Sequence, residues 1–287
     1  MDNMDKEYKS GSLSLFGTVA MGTGVMIGAG IFALTGQVAE LAGALFPLAF
    51  LAAAIISGFS AYSYIKMSNA YPSAGGIAMY LKKAYGRSTM TGACALLMAF
   101  SMIINESLVA RTFGTYTLQL FNVAKDSYWV PILAVILIVV AFLINISGNE
   151  VIGPLSQITA FLKIGGIVVF AVITLWAAGF SFKPDLGAGS SEMLPGSGFL
   201  AGVAIAILAY KGFTTITNSG GEVKNPEKNV GRAIIISLVI CVIVYLLVAF
   251  AVASSLPLEQ IVRAKNFALA EADSRKRFRI FYSRDHS

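Results

Sequence analysis

Charge is scarce in this sequence. Asp, Glu, Lys and Arg make up 13% of the 287 residues, about half the share of a soluble domain. Histidine is nearly missing: His286 stands alone, next to the C-terminal residue, which excludes a His-based triad or a His metal centre. Cysteine is almost as rare, and Cys94 and Cys241 both fall inside apolar stretches. Neither a disulfide framework nor a metal site is indicated. No carboxylate pair, metal cluster or nucleophile–base set falls at one depth, so a membrane enzyme ranks far behind the other readings and no cofactor is implied. The net charge of +6 raises the question of nucleic acid. Its placement answers it: basic residues sit between apolar blocks and in a terminal cluster, and no basic helix face runs through a folded core.

What is present is apolar residues, 56% of the chain, gathered into long runs. A helix of about 20 such residues rises roughly 30 Å, the thickness of a bilayer core. Seven blocks can be counted, approximately Leu13–Leu34, Ala42–Met67, Met90–Leu120, Trp129–Ile146, Val151–Phe180, Ser197–Thr217 and Ala233–Leu256. They are too long for barrel strands and rich in Ala, Leu and Gly, which predicts an all-α polytopic membrane protein of about seven transmembrane helices. The polar segment Met1–Ser10 lacks the pattern of a cleaved signal peptide, because the block after it is long, glycine-rich and without a cleavage site.

Lys and Arg in the short loops orient the chain. With the N-terminus inside, the inner segments carry Lys6, Lys9, Lys66, Lys82, Lys83, Arg87, Lys224, Lys228 and Arg232, against only Lys125 and Lys183 outside. A cytoplasmic N-terminus in the cell membrane follows. Tyr128 and Trp129 read as interfacial anchors.

Two blocks are interrupted. The first holds Gly17, Gly22, Gly24, Gly28, Gly30 and Gly36, and each interior glycine costs about 1 kcal/mol of helix propensity relative to alanine. Close packing through small residues such as Gly24 and Gly28 is one reading. A dinucleotide fingerprint is another, rejected for want of a strand, the right spacing and a suitably placed acid. The third is a discontinuous helix that holds a substrate carboxylate on freed N–H groups. The sixth block contains Lys211-Gly212 followed by Thr214, Thr215, Thr217, Asn218 and Gly220-Gly221, a poor continuation of an apolar span. Interrupted spans at the first and sixth places fit a repeat of five helices, which favours the discontinuous-helix reading.

Three stretches then carry a resemblance: GTGVMIGAGIF (Gly22–Phe32), YPSAGGIAMYLKKAYG (Tyr71–Gly86), and AYKGF (Ala209–Phe213) with GEVKNPEKNVGRAI (Gly221–Ile234). In this order and spacing, from about Leu13 to Ala272, the chain resembles the amino acid–polyamine–organocation superfamily of secondary transporters. The resemblance implies a broken-helix, inverted-repeat fold, here incomplete. The permease domain spans 1–272, with a first repeat at about 13–180 and a partial second at about 197–256. It implies an amino-acid substrate whose carboxylate meets backbone amides around Ile27, Gly28, Ala29 and Gly30. The amino group would meet carbonyls around Leu208, Ala209 and Tyr210, next to Gly212. Helix N-termini attract anions and C-terminal carbonyls attract cations, so two broken helices suit a zwitterion. Lys211, beside this pocket, disfavours cationic substrates.

Four charged residues lie within apolar blocks, and each needs a partner, a cavity or a route to the interface. Glu106 and Arg111, five apart, are expected to pair. Lys163 has no acid in its own span. Its place resembles that of the fifth-helix lysine of sodium-independent relatives, which takes the place of a bound sodium ion and supports proton-linked or exchange transport. The plainer reading is a lysine satisfied by carbonyls of the first span. The segment PSAGG is expected to form a short interfacial helix with Lys82, Lys83 and Arg87 facing headgroups. The basic tail 273–287 breaks the orientation rule and reads as a truncated or shifted frame more readily than as a solvated terminus. A non-transporting membrane subunit is the competing function.

Overall fold

The computed structural model describes residues 11–73, 75–121, 128–146, 149–177 and 196–263. These residues build ten α-helices: α1 (Leu15–Ala42), α2 (Phe46–Ala70), α3 (Gly76–Tyr85), α4 (Thr89–Leu120), α5 (Trp129–Ile146), α6 (Asn149–Ala177), α7 (Gly196–Ala209), α8 (Phe213–Asn218), α9 (Pro226–Ser255) and α10 (Leu258–Arg263). Six segments are long and apolar enough to cross a membrane, and Trp129–Ile144 is a shorter apolar helix beside them. The fold is all-α, as the apolar runs require. The basic tail lies outside the described residues.

Local chemistry sets the boundaries. The Ser14 hydroxyl caps α1 by accepting from the Gly17 N–H at 3.1 Å. The helix ends where Gly43 turns to φ 60°, a conformation that costs a β-carbon-bearing residue about 1–2 kcal/mol. Pro47 and Pro226 stand in the first turns of α2 and α9, where the missing N–H is no loss. The PSAGG stretch leads into α3, whose Tyr80 hydroxyl lies 2.8 Å from the Ser68 hydroxyl of α2.

The core is a packed group of α1, α2, α6, α7 and α9. Met26, Ile27, Ile31 and Val38 of α1 meet Val203 and Ala206 of α7, and Val244, Tyr245 and Val248 of α9. The buried hydroxyls of Thr23 and Thr35 donate to carbonyls one turn back in α1, at 2.7 and 2.6 Å, so neither hydroxyl is left facing hydrocarbon. On α4 and α5, by contrast, Phe100, Ile103, Ile104, Phe142 and Leu143 are exposed, as lipid-facing surfaces allow. Ahead of α1, Leu13 pairs with the α8–α9 loop. Its N–H donates to the Glu222 carbonyl at 2.9 Å, and its carbonyl accepts from the Lys224 N–H at 2.8 Å.

One expectation fails. The first span is not discontinuous: α1 is helical through Gly22, Gly24, Gly28 and Gly30. The glycines instead let neighbours approach. A β-carbon on Gly22 would run into the Ile216 side chain and lie 3.1 Å from the Ser237 hydroxyl, and one on Gly30 would overlap Tyr245 and Ala209. Packing against α8, α9 and the end of α7 offsets the helix-propensity cost, which is the small-residue reading of the same pattern. The amides of Ile27, Gly28, Ala29 and Gly30 are therefore part of the helical ladder here and are not free for a carboxylate. The sixth span, on the other hand, is interrupted: α7 stops at Ala209 and α8 starts at Phe213.

Candidate functional site

The interruption is built from tightened turns. Tyr210 N–H donates to the Ile207 carbonyl at 3.1 Å and Lys211 N–H to the Leu208 carbonyl at 3.2 Å; Thr214 and Thr215 repeat the three-residue pattern onto Lys211 and Gly212. This shorter register skips carbonyls that an α-helix would engage. Among the described residues, the Ala209 and Tyr210 carbonyls accept no backbone N–H. Gly212 is needed at the turn, since a β-carbon there would lie 2.9 Å from the Met26 backbone nitrogen and 3.2 Å from the Gly22 carbonyl.

A cavity of about 230 Å³ opens beside this turn. Gly30 and Met26 of α1 form one wall, Ser101, Asn105 and Glu106 of α4 another, and Leu208, Ala209, Lys211 and Gly212 the third. The Lys211 amine donates to the Ser101 hydroxyl, tying the interrupted span to α4. A second cavity, of about 280 Å³, lies on the other side of Asn105 and Glu106 and is lined by Gly24, Gly28, Thr159 and Lys163. Lys163 points at the first span: its Nζ would lie 3.6 Å from a β-carbon on Gly28. The two lysines thus occupy neighbouring cavities that share one carboxylate, Glu106.

Most of the expected site residues gather here, though unequally. Gly30, Leu208, Ala209 and Gly212 line the first cavity and Gly28 the second. Ile27 is fully buried in the core instead, and the side chain of Ala29 lies outside the described residues. Tyr210 turns inward, its hydroxyl donating to the Phe50 carbonyl at 3.2 Å. Glu106 and Arg111 form no ion pair with each other. Five residues along an α-helix is about 140° of rotation, which aims Glu106 at the cavities and Arg111 away from them.

Three participants escape a reading by motifs. Ser101 and Asn105 are small polar residues inside a long apolar helix, one turn apart, and that spacing was the available signal. Tyr245 carries none beyond a hydroxyl at the middle of the seventh apolar block. It is fully buried, and its hydroxyl lies 2.6 Å from the Met26 carbonyl and 3.0 Å from the Ala209 carbonyl.

An all-α bundle of spanning helices with an interrupted span, and a cavity holding a few polar side chains beside the interruption, is an architecture of the membrane-transporter class. Residues 13–281 match the amino acid permease family, and the chain belongs to it. The chain is 34% identical over 269 residues to an uncharacterized protein of Methanocaldococcus jannaschii, covering 93% of this chain and 60% of that protein. It is 30% identical to the inner membrane transport protein YbaT of Escherichia coli, covering 94% of this chain and 63% of that one. The branched-chain amino acid permease BcaP of Lactococcus lactis is also 30% identical, over 84% of this chain and 55% of its own length. The chain therefore spans roughly three fifths of the length of these relatives.

Proposed function

We propose that the protein is a secondary transporter of amino acids in the cell membrane, with its N-terminus cytoplasmic, and that the cavity at the α7–α8 interruption is the substrate site. The observation that carries this reading is the backbone carbonyl of Ala209, a residue of the cavity wall at the C-terminal end of α7, which accepts no backbone N–H among the described residues. Helix C-termini are the negative ends of the peptide dipoles, and a substrate ammonium is the ligand that suits them. Lys211 supplies a cation in the same cavity for the carboxylate, since the α1 amides are engaged in their helix. The same lysine opposes a cationic side chain, so neutral amino acids are favoured.

Lys163 is proposed as the coupling residue of a sodium-independent, proton-linked or exchange cycle. Its side chain lines a cavity together with Glu106, and a lysine amine is a group that can give up and regain a proton. It faces Gly28 of α1, so its charge state acts directly on the helix that lines both cavities. Helices 13–180 would form the first five-helix repeat and 197–256 the start of the second.

The test is uptake into proteoliposomes. Labelled leucine, alanine, glutamate and lysine are offered with and without sodium, and with and without an inward proton gradient. Saturable uptake of a neutral amino acid in the absence of sodium is expected. No saturable uptake of any of them, or strict dependence on sodium, would overturn the reading.

A further inference from the structure

Tyr245 of α9 sits where three elements meet. Its hydroxyl is within hydrogen-bond distance of the Met26 carbonyl in α1 (2.6 Å) and the Ala209 carbonyl at the end of α7 (3.0 Å). The residue is fully buried, and its ring packs on Phe50 and Tyr210 at centroid distances of 5.9 and 5.0 Å. Room for this arrangement comes from Gly30, where any β-carbon would collide with the Tyr245 hydroxyl. A phenol has one proton to donate. Here it is shared between a carbonyl already inside the α1 ladder and a carbonyl at the interruption that has no N–H of its own.

We infer that Tyr245 is a positioning residue of the transport site, occupying the Ala209 carbonyl while the site is empty and ceding it to the substrate ammonium on binding. The inference rests on the substrate-site reading above and adds a competitor to it. The exchange is balanced in hydrogen bonds. A buried carbonyl left bare in a bilayer protein is costly, and the tyrosine keeps it satisfied until an ammonium arrives. When the hydroxyl lets go, it retains the shorter bond to Met26, so it is not orphaned either. The proton donor that replaces it must be strong, and an ammonium makes a charge-assisted bond that a neutral amide does not match. Tyr245 thereby lowers the affinity for a free α-amino group by competing with it and, through Met26, links occupancy of the Ala209 carbonyl to α1.

The experiment measures binding of labelled L-leucine and L-alanine to the detergent-solubilised protein, with the N-acetyl derivative of each as competitor. Tyr245→Phe keeps the ring packing and removes the competing donor. The free amino acid is expected to bind about three- to tenfold more tightly, the range of one buried neutral hydrogen bond, with the N-acetyl competitor unchanged. Replacing Tyr245 by 3-fluorotyrosine, a stronger donor of the same shape, is expected to weaken amino-acid binding, and it decides the matter if Tyr245→Phe does not fold. Equal affinities in all three proteins, or parallel shifts for free and acetylated ligands, would overturn the inference and leave the substrate site standing. Failure of the parent protein to bind either amino acid would overturn the substrate-site reading and this inference with it.

Discussion

Gly30 of α1 and Ala209 at the end of α7 approach so closely that a β-carbon on Gly30 would lie 2.9 Å from the Ala209 Cα. The contact is backbone against backbone, so neither side can yield by changing a rotamer. Gly30→Ala is therefore expected to destabilise the fold by about 1–3 kcal/mol, the usual cost of overpacking. It should also abolish uptake, because the interrupted turn would be pushed off α1. Gly166→Ala on α6 is the control. Nothing lies within 4 Å of the added carbon there, and the change should be neutral or slightly stabilising. Thermal unfolding in detergent, followed by fluorescence-detected size exclusion, separates the two.

The same pair shows how far the sequence could be read. Seven apolar blocks, the helical class and the interruption after Ala209 were legible, because a lysine, a glycine and four small polar residues have no reason to continue an apolar span. The state of the first span was not legible. Four glycines between Gly22 and Gly30 lower helix propensity equally whether the backbone is broken or closely packed. What decides is the neighbour, here Ile216, Ser237, Ala209 and Tyr245, and those lie about 180 to 220 residues away in sequence. Tyr245 was missed for a similar reason: its partners are backbone carbonyls, which no side-chain motif announces.

In the loop between α8 and α9, Glu222 offers a pH dependence that can be checked without transport. Burial raises its carboxyl above the usual range, so the folded state favours the protonated form. A raised acid contributes stability that is full below the unfolded pKa and is lost as pH rises through the folded one. Glu222→Gln mimics the protonated form and should raise the melting temperature slightly at neutral pH. The gap to the parent protein should close as pH falls through the carboxylate range. A gap that stays constant with pH would show that the carboxyl is not under strain where the loop pairs with Leu13.

Lys163 tests coupling. Its amine faces Gly28 across a cavity shared with Glu106, and an amide at this place cannot gain or lose a proton in the physiological range. Lys163→Gln should keep amino-acid binding within a few-fold of the parent and remove the stimulation of uptake by an inward proton gradient. Proteoliposome uptake at matched internal and external pH, then with a gradient, gives the comparison. Unchanged gradient dependence in the variant would remove Lys163 from the coupling step.

Lys211 tests selectivity, and its geometry makes the sign definite. The amine reaches from the interrupted turn to the Ser101 hydroxyl of α4, so it lies across the cavity and within reach of any bound side chain. At a separation of about 8 Å and an effective dielectric constant near 20, two like charges repel by roughly 2 kcal/mol. That is enough to disfavour a cationic substrate more than tenfold against a neutral one of similar size. Glu106, in the wall of the same cavity, works in the opposite direction and reduces the net effect, so about tenfold is the expected discrimination. Lys211→Met retains the length and apolar stem of the side chain while removing its charge. It should raise lysine uptake relative to leucine by about that factor, and Lys211→Arg should leave the ratio low. Ser101→Ala releases the amine without removing it, so its lysine-to-leucine ratio should stay with the parent while leucine affinity changes by only a few-fold. If Ser101→Ala and Lys211→Met shifted the ratio equally, the lysine would be acting through its tether to α4 and not through its charge.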